Sequence, residues 1–278
     1  MISHPLISAD EALRLTDEAV FLDARAEADA ARAYREAHLR GARRADLETD
    51  LSQVEDPARG GRHPLPPLDG WCARLGDWGI TPSTPVLVYD AGGGGMAAAR
   101  AWWMLHVLGH EQLAVVDGGW RALQEAAAPV ETGEPRWEST APYPSAISAW
   151  PSVDAESVDA LRADAHWRLI DARAPERYAG RVEPLDPVAG HIPGALNLYW
   201  RSQLDERNRF ASVSELRERF AAALGDVPPD RVICYCGSGV TACHLLLAMA
   251  ACGMTGARLY VGSWSEWCRQ HRVGAESE

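Results

Sequence analysis

Lysine is absent from this chain of 278 residues, so all 27 formal positive charges are arginines. Schiff-base and lysine general-base chemistry are thereby excluded. Basic runs are missing too and the formal net charge is −12, which argues against nucleic acid or an anionic membrane as the main partner. No apolar stretch approaches the roughly 18 residues a membrane span needs. Met1-Ile-Ser-His-Pro5 has neither the basic nor the apolar region of a secretion signal. These absences predict a soluble, cytoplasmic protein. The six cysteines (Cys72, Cys234, Cys236, Cys243, Cys252, Cys268) show no zinc-ligand spacing and five lie in the last third, so reduced thiols in a reducing compartment are expected.

What the chain does contain is a repeat. Phe21-Leu-Asp-Ala-Arg25 returns as Leu169-Ile-Asp-Ala-Arg173, and His38-Leu-Arg-Gly-Ala42 as His191-Ile-Pro-Gly-Ala195. Val86-Leu-Val-Tyr-Asp-Ala-Gly92 corresponds to Val232-Ile-Cys-Tyr-Cys-Gly-Ser238, and Val116-Asp-Gly-Gly-Trp120 to Tyr260-Val-Gly-Ser-Trp264. Matched blocks in one order mean two copies of one fold. Short apolar runs alternate with amphipathic or alanine-rich stretches (Glu11 to Leu15, Ala97 to Leu108, Val213 to Leu224, Ala242 to Ala251), which predicts α/β units, a parallel sheet in each copy, and functional loops at the carboxyl ends of the strands. Residues 130–151, rich in Pro, Glu, Ser and Thr, read as an inter-domain linker. The expected domains are 1–130 and 151–278, joined by 131–150.

The most informative segment is the apolar run 231–236, which passes into Gly237-Ser-Gly-Val-Thr241 and then a helix-like stretch. A cysteine where a strand ends and a helix begins sits among backbone N–H groups that favour a thiolate. Gly237 and Gly239 allow the turn to bend so that these groups, continuing through Val240 and Thr241, converge on an anionic atom. In the first copy the cysteine position is Asp90, followed by Gly92 to Gly95. A carboxylate does not attack sulfane sulfur usefully, so the first domain is expected to be catalytically silent and its glycines a turn.

Cys236-Gly-Ser-Gly-Val-Thr-Ala-Cys243 resembles the active-site loop of the tandem-domain rhodanese-like sulfurtransferases. Its Gly-Ser-Gly interior is most similar to the 3-mercaptopyruvate sulfurtransferases, because thiosulfate-specific members tend to carry basic residues after the cysteine. The resemblance covers essentially the whole chain. It implies two rhodanese-like domains, each a parallel sheet flanked by helices, with the active site facing the cleft between them. It also implies a small anionic sulfur donor, 3-mercaptopyruvate or thiosulfate, a Cys236 persulfide, a thiol acceptor such as thioredoxin or cyanide in an assay, and no metal or organic cofactor. Arg177 is the expected anchor for the donor carboxylate. A second arginine usual after the Glu-Pro pair is Leu185 here; Arg181 either replaces it or is a solvated surface charge. The family's serine-histidine-acid relay maps onto Ser238, His63 and Glu48, with Asp46 or Asp50 as alternative acids. Asp23, Asp171, His38 and His191 read as scaffold, and Trp120, Trp264 and Trp267 as packing residues.

Two other functional classes fit the sequence less well. A Cys-x5-Arg phosphatase needs an arginine where this chain has Ala242. A non-enzymatic rhodanese-like binding module typically lacks the cysteine, which the second copy retains.

Overall fold

In the computed structural model, residues 2–95 and 97–270 are described. Their contacts divide into two units: residues 2–52, 66–150 and 204–210 form the first, and 53–65, 151–203 and 211–270 the second. The division therefore interleaves the chain. A segment of the N-terminal half, 53–65, belongs to the second unit, and a short piece of the C-terminal half, 204–210, to the first. The contiguous boundaries read from the repeat do not contain this exchange.

The first unit holds β1 (Leu6–Ile7), β2 (Val20–Asp23), β3 (His38–Leu39), β4 (Arg43–Arg44), β5 (Val86–Tyr89), β6 (Leu113–Val116) and β7 (Val130–Glu131). Its main sheet is parallel in the order β1-β6-β5-β2-β4, with β3 and β7 as a separate antiparallel pair. The second unit holds β8 (Arg168–Asp171), β9 (Leu196–Asn197), β10 (Val232–Tyr235) and β11 (Arg258–Leu259), parallel in the order β11-β10-β8-β9. A bridge from Val153 to Tyr260 adds the counterpart of β1. The registers repeat as well: Asp23 faces Tyr89 in the first sheet and Asp171 faces Tyr235 in the second.

The central strands are Val-Leu-Val-Tyr and Val-Ile-Cys-Tyr, buried at every position, as expected where helices cover both faces of a parallel sheet. Each apolar side chain so buried contributes roughly 1.5–3 kcal/mol relative to exposure. Phe21, Leu87, Tyr89, Val116, Trp120 and Leu123 centre the first core; Leu169, Ile192, Ile233, Tyr235, Trp264 and Trp267 centre the second. The helix Val240–Ala251 is buried almost all round, which explains its weak amphipathic pattern. Helix Val213–Leu224 starts at a capping box in which Ser212 and Glu215 satisfy each other's backbone N–H groups.

The segment read as a linker is laced to the first unit. Thr140 N–H donates to Gly76 O (2.8 Å), Tyr143 N–H to Cys72 O (2.9 Å) and Trp137 Nε1–H to Asp77 O (2.7 Å). Gly76 permits this approach, since a Cβ there would stand 2.6 Å from Ala141 O. Composition predicted irregular backbone, but these bonds, made to the helix Leu68–Asp77, are invisible to it. Among the described residues, no helix is long and apolar enough to cross a membrane.

Candidate functional site

Cys236 follows β10 directly and Gly239 caps the helix Val240–Ala251, so the loop between them carries the predicted strand-to-helix turn. Gly239 has φ +79°, and a Cβ there would lie 2.6 Å from Val261 O; only glycine fits this position. Val240 and Thr241 open the helix, where backbone N–H groups have no partner within the helix. The loop is held from the helix Ser263–Arg269. Cys236 N–H donates to Ser263 Oγ (3.1 Å), Cys236 O accepts from Trp264 N–H (3.0 Å), and Gly237 O accepts from Ser265 N–H (2.9 Å). Ser263 has φ +55°, a left-handed conformation uncommon outside glycine. Its Oγ also donates to Tyr260 O (2.9 Å).

The cysteine side of this loop is secluded. Cys236 is 2% exposed and Ser238 is 6% exposed. All six cysteines are free thiols and buried. Burial pushes the thiols of Cys72, Cys234, Cys252 and Cys268 up, which keeps those four protonated at neutral pH.

His63 reaches the loop through the exchanged segment. A hydrogen bond of 2.7 Å joins His63 Nδ1 to Ser238 Oγ. The segment is fixed by Gly60 N–H donating to Glu266 Oε1 (2.8 Å), Gln270 Nε2–H donating to Ala58 O (3.1 Å), and a close approach of Gly61 to Gly262. A Cβ on Gly61, whose φ is +79°, would meet Gly262 O at 2.4 Å. Glu48 belongs to the first unit, where it is exposed and its N–H donates to Asp46 Oδ1 (2.9 Å). The alternative acids are engaged in that unit too. Asp46 pairs with Arg44, and Asp50 accepts from Asp46 N–H (2.8 Å) and pairs with Arg74 (3.0 Å).

Arg177 stands beside the loop: a Cβ on Gly237 would lie 3.4 Å from both of its terminal nitrogens. Glu183 holds it there, accepting from Nη2 (2.7 Å) and Nε (3.2 Å). Arg181 does not join it. Its side chain is 65% exposed and lies 3.9 Å from Glu176, because the turn after the helix Pro175–Tyr178 carries it outward.

The guanidinium that does approach Gly237 is Arg62, with Nη2 3.0 Å from the same Cβ position. Sequence reasoning missed it. Its only signal was adjacency to His63 in Gly60-Gly-Arg-His63, since neighbours on a docked loop can share a destination. Asp186, three residues after Glu183, pairs with Arg62, with Arg269 (2.7 Å) and more loosely with Arg177 (3.6 Å). Burial pushes the Asp186 carboxyl up, but hydrogen bonds from Arg62 and Arg269 outweigh it and hold the group below its ordinary range.

The first unit treats the equivalent loop differently. Asp90 Oδ1 accepts N–H groups of Gly92 (2.9 Å) and Gly94 (2.8 Å), and Oδ2 accepts that of Ala98 (3.1 Å). The N–H groups after the strand are thus turned onto the protein's own carboxylate.

The model of the rhodanese-like domain matches this chain twice, over residues 8–126 and 154–270. The chain belongs to the rhodanese-like sulfurtransferases. A Pseudomonas aeruginosa protein named as a probable 3-mercaptopyruvate sulfurtransferase is 40% identical over 283 residues, covering 98% of each chain. The Bos taurus thiosulfate sulfurtransferase is 34% identical over 253 residues, covering 90% of this chain and 82% of the relative. Among solved structures, the 3-mercaptopyruvate sulfurtransferase from Leishmania major superposes with a TM-score of 0.87 at 30% identity, covering 98% of this chain and 76% of that one. This rhodanese-like chain therefore has relatives bearing both donor names, and its own loop chemistry must discriminate between them.

Proposed function

We propose that this sulfurtransferase moves a sulfane sulfur from 3-mercaptopyruvate, through a persulfide on Cys236, to a thiol or cyanide acceptor. The Cys236 thiolate attacks the donor sulfur; the Sγ–S bond forms as the donor's C3–S bond breaks. The electron pair of that bond goes to the pyruvate enolate, which takes a proton at C3. An acceptor nucleophile then attacks the outer sulfur, and Cys236 leaves as thiolate. With cyanide the product is thiocyanate; with a thiol such as thioredoxin's it is an acceptor persulfide.

The observation carrying the donor assignment is the 2.7 Å hydrogen bond between Ser238 and His63. A loop without basic side chains, whose serine is bonded to a titratable imidazole, suits a donor that needs a proton delivered to its leaving group. Thiosulfate leaves as sulfite and has no such requirement. Arg177 supplies a planar fork for the carboxylate. Glu48 stays in this reading as the relay acid, and Gly237, Gly239, Val240 and Thr241 as the backbone cradle. The first domain is silent and the protein works in the cytoplasm.

The second reading, a thiosulfate sulfurtransferase, is favoured by Leu185 standing where a substrate arginine is usual. Steady-state thiocyanate formation from cyanide with each donor, beside a Cys236→Ser control, separates the two. A kcat/KM favouring 3-mercaptopyruvate tenfold or more, lost in the control, is expected. Preference for thiosulfate would move the chain to the second reading, and turnover of neither donor would sink both.

A further inference from the structure

Glu266 lies on the helix Ser263–Arg269, which already holds the nucleophile loop through Ser263, Trp264 and Ser265. Its carboxylate folds back over Gly262, where a Cβ would collide with Oε2. Oε1 accepts Gly60 N–H (2.8 Å) and Oε2 accepts Tyr260 O–H (2.8 Å). Tyr260 is fully buried, and its backbone O accepts from Ser263 Oγ (2.9 Å), the same hydroxyl that accepts Cys236 N–H. Through Tyr260, one hydrogen-bonded run therefore joins the backbone of Cys236 to the backbone of Gly60. Gly60 (φ +92°) closes a small loop, since a Cβ on it would stand 2.8 Å from Pro64 Cβ. His63 lies between these two contacting residues and reaches Ser238 from there (2.7 Å).

The first repeat has no such pair. Its matching block is Val116-Asp-Gly-Gly-Trp-Arg-Ala122, so Val116 stands where Tyr260 stands and Ala122 where Glu266 stands. Its helix Gly119–Glu125 forms and packs all the same, so the scaffold common to both repeats requires neither the tyrosine nor the carboxylate. We infer that Glu266 is a positioning residue for the relay: it seats the loop that carries His63 against Ser238, and Tyr260 orients its carboxylate. This rests on the relay role given to His63 above. Glu266 acts through the histidine alone, because Arg62 on the same loop is held separately by Asp186. Misplacing a proton-handling group slows the chemical step, so the loss falls on kcat before KM.

The test uses the full chain and its Glu266→Ala, Glu266→Gln, Tyr260→Phe, His63→Asn and Glu266→Ala/His63→Asn variants. Glu266→Ala is expected to lower kcat with 3-mercaptopyruvate about tenfold, with little change in KM and with thiosulfate turnover within about threefold of the parent. Glu266→Gln keeps an acceptor for Gly60 N–H and should recover most of the loss. In the His63→Asn background, Glu266→Ala should add no more than about twofold, since the group it seats is gone. A purely structural role would slow both donors alike and add fully to His63→Asn; either result overturns the inference, as does an unchanged kcat. The His63 ring signals in the proton–nitrogen spectrum of histidine-labelled protein, identified by their loss in His63→Asn, report the seating without turnover. They are expected to shift in Glu266→Ala and to stay in Glu266→Gln, and unmoved signals in Glu266→Ala overturn the inference. Should Glu266→Ala not fold, Tyr260→Phe, which removes only the Oε2 bond, decides by the same donor ratio and ring signals. If the parent turns over only thiosulfate, or neither donor, the donor reading falls and the ring signals alone decide about Glu266.

Discussion

In the first repeat Tyr89 donates to Asp23 (2.9 Å), Asp23 pairs with Arg25 (2.6 Å), and the Arg25 guanidinium lies 4.8 Å above the Trp120 ring. In the second, Asp171 pairs with Arg173 (2.6 Å), Arg173 lies 5.0 Å above Trp264, and Tyr235 is hydrogen-bonded to Asp171. The histidines match as well: His38 bonds Tyr34 O (2.7 Å) and stacks on its ring, as His191 does with Tyr178 (2.8 Å). A buried polar chain of this kind survives duplication because every member would be costly to orphan. Among the positions where the repeats part company, two bear on how the strand-end residue is held. Asp90 stands where Cys236 stands, and Gly119 (φ +56°) where Ser263 (φ +55°) stands. Burial preserved the scaffold of both repeats, while the loop after the central strand differs at its strand-end side chain, at Gly92 against Ser238, and at the residue that accepts the N–H of Cys236.

The strongest way to break the comparison is to make the second loop like the first. Cys236→Asp should lower sulfur transfer by about a thousandfold or more, because no carboxylate replaces the sulfur nucleophile; thiocyanate assays would read it, and appreciable residual turnover would contradict it. Next come the paired acids. Asp23→Asn leaves Arg25 buried without its carboxylate, at a cost of about 3–5 kcal/mol. Asp171→Asn should cost less by about 1 kcal/mol, because Glu183 lies 3.3 Å from Arg173. Chemical denaturation followed by circular dichroism would rank the two, and an equal cost would show that Glu183 does not compensate.

A smaller effect is expected at Asp90. Asp90→Ala removes the acceptor of three backbone N–H groups and should destabilise the first unit by about 2 kcal/mol, seen as faster hydrogen exchange at Gly92, Gly94 and Ala98. The smallest change makes the second repeat's tether like the first. Ser263→Gly relieves a left-handed non-glycine residue, worth about 1 kcal/mol, and loses hydroxyl bonds of similar size. Stability should stay within about 1 kcal/mol while kcat falls severalfold as Cys236 N–H loses its acceptor. An unchanged kcat would make Ser263 a scaffold residue only.

The helices expected at Val213 to Leu224 and Ala97 to Leu108 appear within a residue or so of those bounds, since capping and apolar runs are local signals. The helix expected from Ala242 begins two residues earlier, at Val240. Its start depends on Gly239 in the left-handed region, a conformation set by the close approach of Val261. The pairing of His63 with Ser238 was legible only through family resemblance; nothing in the local pattern around either residue encodes the other. Arg181 and Arg62 show the limit most plainly. Both are arginines on irregular segments, with equivalent propensities, and no periodicity decides which side chain turns inward.

The sequence by itself determined that there are two copies of one parallel α/β fold, that Cys236 ends a strand of the second, and that Asp90 displaces its counterpart in the first. Those statements rest on strand burial and turn chemistry, which act over a few residues. The tertiary structure alone decided that residues 53–65 join the second unit, that His63 and Arg62 arrive at the loop together, and that Arg181 does not. The reason is that their directions are set by contacts such as Gly60 to Glu266, 206 residues apart, and by a backbone approach at Gly61 that only the assembled fold creates.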